Sequence, residues 1–97
     1  MSVTEFNFVR SKIKVTMYDG SVVELFKPNT LQAESLEDRV RKINEKHKDN
    51  IDEAIFELSK LSKDFLCELG MTIEHCNELE PAHLGQIVNA LVFEKKN

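Results

Sequence analysis

The side chains of this chain that are best suited to chemistry are two thiols and two imidazoles near one another in the sequence. Cys67, Cys76, His75 and His83 carry groups that bind zinc or form a nucleophile–base pair. Structural zinc sites favour short C-x2-C knuckles, whereas eight residues separate Cys67 from Cys76. No neighbouring residue is placed to orient a histidine. We therefore expect separate, reduced cysteines, with no metal and no cofactor.

Other catalytic motifs are also missing from the sequence. The chain has three glycines, and a turn and a helix end require Gly20 and Gly70, so no glycine-rich phosphate loop can form. Adjacent carboxylates such as Asp52 and Glu53 are typical of helix caps and solvated helix faces. These features predict that the protein is not an enzyme.

A single basic cluster makes nucleic-acid binding worth testing. The cluster consists of Arg39, Arg41, Lys42, Lys46 and Lys48. Acidic residues interrupt it and no aromatic residue lies within it to stack on bases. The net charge is −4, and no Lys or Arg occurs between Lys63 and Lys95. Because an acidic half repels polyanions, we expect neither a nucleic acid nor a membrane as partner.

Some apolar residues have no place in the predicted core, which makes them candidates for protein contact. On a helix over residues 50–69, the core stripe is complete without Phe56, and Cys67 follows three turns later on the same face. Phe93 lies off the stripe of the last helix. The sequence leaves two interpretations open, because either the β element or a partner protein could cover Phe56. The remaining candidates for protein contact are Phe6 and Phe8.

The elements that position these residues follow from a change of hydrophobic period at Pro28. Before it, apolar residues alternate, as in Ile13 and Val15, and after it they recur at helical spacing, as in Leu36 and Val40. The change predicts an α+β fold in a single domain over residues 1–97. Residues 1–28 would form the β element and residues 29–97 the helical part.

Asp19-Gly20 predicts an antiparallel β-hairpin. A three-residue loop, Tyr18-Asp19-Gly20, collects the strong apolar residues on one face and gives Gly20 the positive φ of a G1 bulge. The register would pair Met17 with Ser21, Val15 with Val23, Ile13 with Leu25, and Lys14 with Glu24. Residues 4–9 would form a third strand or the start of a long first strand. We expect one strand edge to stay open.

Three to four helices should follow the hairpin as a bundle. The first would begin at Ser35 or, as an alternative, with Thr30 as its N-cap. Asn50 would cap the second helix, which Gly70 would end, and Thr72 and Pro81 would begin the last two. The predicted core stripe of the second helix is Ile51, Ala54, Ile55, Leu58, Leu61, Phe65, Leu66 and Leu69.

The N-terminal residues are not those of a secretory signal and no apolar run is long enough to span a membrane, so we expect the cytoplasm as location.

Several segments of this layout occur together in one known family. They are the strand-rich start with Phe6 and Phe8, the Asp19-Gly20 hairpin, Leu25-Phe26-Lys27-Pro28, Phe65-Leu66-x-x-Leu69-Gly70, and Leu84-x-x-Ile87-Val88. In this layout the chain resembles the small tail assembly chaperones of long-tailed bacteriophages and prophages. The resemblance implies a non-catalytic protein that masks apolar surface. Its partners would be a tape measure or tail-tube protein, and it would often form a homo-oligomer. The resemblance also implies that the cytoplasm is that of a bacterial host cell.

The alternative is a small cytoplasmic regulatory or adaptor protein that binds a single protein partner. A DNA-binding regulator would need a basic recognition helix, which the sequence lacks.

Overall fold

The computed structural model describes residues 3–93, and of Phe93 it describes only the backbone. Its strands are β1 (Lys12–Thr16) and β2 (Val22–Phe26). Its helices are α1 (Thr30–Lys46), α2 (Ile51–Glu68), α3 (Ile73–Glu78) and α4 (Pro81–Val88), and a π-helical turn (Asn89–Phe93) continues α4. The α+β prediction of an N-terminal antiparallel hairpin followed by a helical bundle is confirmed.

The hairpin has the predicted register and loop. Ile13 pairs with Leu25 and Val15 with Val23. The Met17 amide donates to the Ser21 carbonyl at 2.8 Å, and Gly20, with φ of 89°, donates to the Met17 carbonyl at 3.0 Å. The Asp19 carboxylate accepts hydrogen bonds from the Ser21 hydroxyl at 2.7 Å and the Ser21 amide at 2.9 Å. These bonds lower the pKa of Asp19 and close the loop.

Two details of the β element differ from the sequence-based expectation. Lys14 lies opposite Glu24 as predicted, but the Glu24 carboxylate forms its ion pair with Lys12, with Nζ and Oε2 3.8 Å apart. Residues 4–9 form no strand, so the sheet of the described chain has two strands. Pairing continues only to Ser11, whose carbonyl accepts from the Lys27 amide at 2.8 Å.

Helix α1 begins at Thr30, so the prediction of a start at Ser35 is wrong. Its N-cap is Asn29, whose side chain accepts from the Gln32 amide at 2.8 Å. The Gln32 side chain accepts in return from the Asn29 amide at 3.0 Å. This reciprocal capping box satisfies two backbone N–H donors directly after Pro28. The helix therefore begins about a turn and a half before the predicted start at Ser35.

Helix α2 ends as predicted at a glycine, and the hairpin attaches there. Gly70 has φ of 122°, and the Met71 amide donates to the Leu66 carbonyl at 3.1 Å, as in a Schellman turn. The Phe26 amide, on the outer edge of β2, donates to the Leu69 carbonyl at 3.0 Å. The edge of β2 is thus paired with the end of α2.

The core lies between the hairpin and the helices. Leu25, Leu36, Phe65, Leu66, Leu69 and Leu84 are buried at its centre. Met17 and Val23 join them from the hairpin and Val88 from α4. Burying an aliphatic or aromatic side chain of this size contributes about 1.5–3 kcal/mol, which the isolated hairpin could not obtain.

The hairpin loop is attached to the helices at a second point. The Tyr18 hydroxyl accepts from the Glu80 amide, the N-cap of α4, at 3.1 Å. Its oxygen is also 2.5 Å from Nδ1 of His83. The loop therefore caps α4 with a side chain that is distant in sequence, in place of the missing local cap.

The predicted core stripe of α2 is wrong at its N-terminal end. Ile51 is 71% exposed and Ile55 54% exposed, whereas the later members Leu61, Phe65 and Leu66 are buried. The hairpin is bonded at the far end of α2, through the Leu69 carbonyl, so it gives no cover to the first turns of the stripe.

Two glycine substitutions should change stability in opposite directions. Gly70→Ala places a Cβ 3.4 Å from the Glu24 carbonyl oxygen at a φ that only glycine adopts easily, and should destabilise by about 2 kcal/mol. Gly85→Ala fills open space on α4 and should stabilise by about 0.5–1 kcal/mol. Urea unfolding measures both free energies. Equal effects would contradict the assignment of Gly70 to the turn.

Removing the Tyr18 hydroxyl should loosen the hairpin loop from α4. In Tyr18→Phe the Glu80 amide loses its acceptor, which should cost about 1 kcal/mol and lower Tm by roughly 4–8 °C. Thermal unfolding followed by circular dichroism measures this shift. An unchanged Tm would mean that water replaces the hydroxyl without cost.

Candidate functional site

A groove between α1 and α2 contains one of the predicted contact residues, Phe56. It has a volume of about 600 Å³. Ile43 and the buried Leu61 give it an apolar floor, and we call it the α1–α2 groove. Its other lining residues are Arg39, Lys42, Lys46, Glu53, Phe56, Glu57, Lys60 and Asp64.

Phe56 is the main exposed apolar residue of this groove. Its ring is 57% exposed, and the Lys60 ammonium lies 4.5 Å from its centroid. Coverage by the hairpin, one of the two interpretations left open, is wrong, because the hairpin packs at the opposite end of α2 around Leu66 and Leu69. A cation above the ring contributes about 0.5–1 kcal/mol at an exposed site and leaves the ring edge accessible.

The charges around the groove are only partly paired, and of its lining residues Lys42, Lys46 and Glu57 form ion pairs within residues 3–93. Lys42 Nζ is 3.0 Å from the Asp38 carboxylate, and this contact lowers the pKa of Asp38. Glu57 accepts from His47, with Nε2 and Oε2 2.6 Å apart, and lies 3.8 Å from Lys46. Arg39 forms no ion pair with any side chain in residues 3–93. It is therefore available to a carboxylate from outside.

The two cysteines are free thiols and form no disulfide. The Cys67 side chain is close enough to Cys76 to contribute to the raised pKa of that thiol. Cys76 is fully buried, with Sγ 3.9 Å from the Lys63 carbonyl oxygen. Burial, and secondarily the neighbouring Cys67, raise the pKa of Cys76 to about 12. Cys67 therefore packs against the core cluster and does not extend the Phe56 surface.

The other predicted contact residues lie apart from the groove lining. Phe6 and Phe8 are 74% and 87% exposed, and their rings stack on each other with centroids 6.0 Å apart. The side chain of Phe93 lies outside the described part of the chain. The sequence carries no signal for the exposure of Ile51 and Ile55, because their spacing matches that of the buried residues of α2.

The histidines take structural roles in the hydrogen-bond network. His75 Nδ1 is 2.9 Å from the Thr72 hydroxyl, the N-cap of α3, and His83 contacts Tyr18. Within residues 3–93, no three His, Cys, Asp or Glu side chains are grouped so that they could hold a metal ion. The concave surface of this region is an apolar groove with a charged rim.

Comparisons with protein-family models, with curated proteins and with solved structures find no match for this chain. None of the helices in the described residues has the length and apolar character needed to cross a membrane.

The buried thiol of Cys76 should make stability fall at high pH. Its folded-state pKa is raised from 9.0 to about 12, so between these values the unfolded chain releases a proton that the folded chain keeps. The stabilisation is complete below pH 9 and is lost as pH rises, by at most about 1.4 kcal/mol per pH unit. Urea unfolding should show a steeper decline of stability between pH 9 and pH 12 in the wild type than in Cys76→Ala, which lacks the thiol. Parallel curves would contradict the burial of a neutral thiol.

Proposed function

We propose that this protein is a non-enzymatic protein-binding factor whose α1–α2 groove binds an apolar helical segment of a partner protein. The observation that carries the proposal is Phe56, an aromatic ring that is 57% exposed in the wall of the groove. Exposed aromatic surface gains free energy when it is buried, and a few large anchors of this kind usually dominate the energy of an interface.

The surroundings of Phe56 support an α-helix as the bound element. The groove runs between two helices, with Ile43 and Leu61 as its apolar floor. Helix-in-groove recognition places one apolar face of a partner helix on such a floor, while charges at the rim fix its orientation. Arg39 at the rim has no partner in residues 3–93 and would favour a carboxylate on the bound helix.

Ile51 and Ile55 extend the apolar surface beyond the groove. They lie one turn apart on α2, and Ile55 is separated from Phe56 by about 100° around the helix. A partner helix that covers Phe56 could thus gain further burial along the first two turns of α2. Masking would be reversible, because the contact surface is small and its rim is charged.

Within this class we favour a tail assembly chaperone, on the resemblance of the layout to that family. A tape measure protein is a long coiled-coil chain, and its apolar helical faces need cover before assembly. The net charge of −4 would help to keep such a complex soluble. A regulatory or adaptor protein with a single partner would use the same groove, so the partner decides between the two.

Co-expression with a tape measure protein encoded beside this chain tests the proposal. We expect a soluble complex, and Phe56→Glu should lower its affinity by at least tenfold because the anchor becomes a charge. Stability should change by no more than about 0.5 kcal/mol, as is usual for exposed positions.

The matched control is Ile73→Glu, which puts the same charge at an apolar position that is 48% exposed and outside the groove lining. This variant should bind like the wild type. If no complex forms and the tape measure protein stays insoluble, the chaperone role is wrong. If Phe56→Glu and Ile73→Glu bind equally well, the groove is not the contact site.

A further inference from the structure

The two walls of the α1–α2 groove carry opposite charges. Among residues 3–93, the ionisable side chains that line the groove from α1 are all basic, namely Arg39, Lys42 and Lys46. The acidic side chains of the lining all come from α2, namely Glu53, Glu57 and Asp64. The α2 wall also contains Lys60, whose ammonium lies over the Phe56 ring. A helix bound in the groove would therefore meet a basic wall on one side and an acidic wall on the other.

The two rows of charge meet at the loop that joins the helices. Lys46 is the last residue of α1, and its Nζ lies 3.8 Å from Oε1 of Glu57 in the second turn of α2. Only residues 47–50 separate the two helices. The chain therefore reverses its direction there, and α1 and α2 run antiparallel away from this ion pair.

Arg39 and Asp64 occupy the equivalent positions farther along the groove. Arg39 precedes Lys46 by seven residues, and Asp64 follows Glu57 by seven. Seven residues of an α-helix return to nearly the same face, about 10 Å farther along its axis. Arg39 and Asp64 therefore lie on opposite walls, two helical turns beyond the ion pair at the loop.

These two side chains differ from the pair at the loop because they are not neutralised. Both Arg39 and Asp64 are exposed, and no ion pair within residues 3–93 includes either of them. The loop end of the groove is thus bridged by an ion pair, whereas the other end presents a cation and a carboxylate to solvent.

Covering these two charges has a cost that only certain partners can offset. A helix that lies on the apolar floor removes water from the Arg39 guanidinium and the Asp64 carboxylate. A charge that loses water without gaining a partner raises the free energy of the complex. A wholly apolar helix is therefore disfavoured. A helix with like charges on both flanks is disfavoured as well, because one of the walls repels it.

We propose that the α1–α2 groove selects an amphipathic helix that carries an acidic side chain on one flank of its apolar stripe and a basic side chain on the other. Arg39 binds the acidic flank and Asp64 the basic flank. This selectivity rests on the proposed function, since it requires the groove to bind a helix, and it adds the charge pattern of the partner. It also fixes the direction of the bound helix, because turning a helix end for end exchanges its flanks.

Four labelled synthetic peptides of matched helicity test the charge pattern. They share a leucine stripe and differ in its two flanks, which carry Glu and Lys, Glu and Glu, Lys and Lys, or Gln and Gln. Fluorescence anisotropy measures their affinity for the full chain at low salt, because salt screens exposed charge pairs. The Glu/Lys peptide should bind about threefold to tenfold more tightly than each of the others.

Charge reversals should change which peptide binds best. Asp64→Arg makes both walls basic at this end and should favour the Glu/Glu peptide, whereas Arg39→Glu should favour Lys/Lys. The double variant Arg39→Glu, Asp64→Arg exchanges the walls and should favour Glu/Lys again. Glu34→Arg is the matched control. It changes the net charge as much as Asp64→Arg does, at an exposed position outside the groove lining, and should keep the wild-type preference.

The direction of the bound helix is a second readout. A nitroxide at the N-terminus of the Glu/Lys peptide should broaden the amide NMR signals at one end of the groove, near either Glu53 or Asp64. A peptide with its Glu and Lys flanks exchanged should bind with similar affinity and broaden the signals of the opposite end. Equal broadening at both ends by either peptide would contradict the proposed selectivity.

The affinities also separate this selectivity from helix binding itself. If all four peptides bind equally well and Phe56→Glu abolishes their binding, the groove binds helices but its charges do not select them. Preferences that stay unchanged in Asp64→Arg and Arg39→Glu would overturn the selectivity in the same way. If no peptide binds the wild type, helix binding by the groove and its charge selectivity are both wrong.

Discussion

The backbone contact between β2 and the end of α2 is the interaction on which the rest of the structure depends. A two-stranded hairpin is marginal in water, and the bond from the Phe26 amide to the Leu69 carbonyl places its apolar face on the bundle. Gly70 makes the contact possible. Its positive φ turns the chain out of α2, and its lack of a side chain leaves room for the Glu24 carbonyl oxygen. Leu25 and Leu66 are then fully buried together.

The place of this contact also decides which surfaces stay uncovered. The hairpin occupies the C-terminal half of α2, so the N-terminal half keeps Ile55 and Phe56 exposed. Attachment through β2 leaves β1 as the outer strand, with its edge unpaired and Ile13 half-buried. The exposed Phe56 ring and the unpaired edge of β1 are therefore both consequences of where the hairpin docks on α2.

Local signals in the sequence predicted the fold well, and they failed where distant segments meet. The turn at Gly20 and the helix end at Gly70 can be predicted because a positive φ is a local requirement. The capping box of Asn29 with Gln32 is equally local, but the Ser-Leu-Glu pattern that begins at Ser35 also resembles the start of a helix and led to the wrong prediction. No sequence signal could show that Tyr18 caps α4 or that Cys76 is fully buried, since both features arise only when the elements pack.

The sequence by itself determined the order of the elements, the hairpin register, the end of α2 at Gly70 and the start of α4 at Pro81. These features follow from hydrophobic period, backbone conformation and capping, which act over a few residues. Only the tertiary structure decided which members of an apolar stripe are buried. Ile55 and Leu66 have equivalent positions in the pattern of α2, but only Leu66 has elements packed against it. Burial depends on the length and placement of neighbouring elements, and no local pattern encodes that.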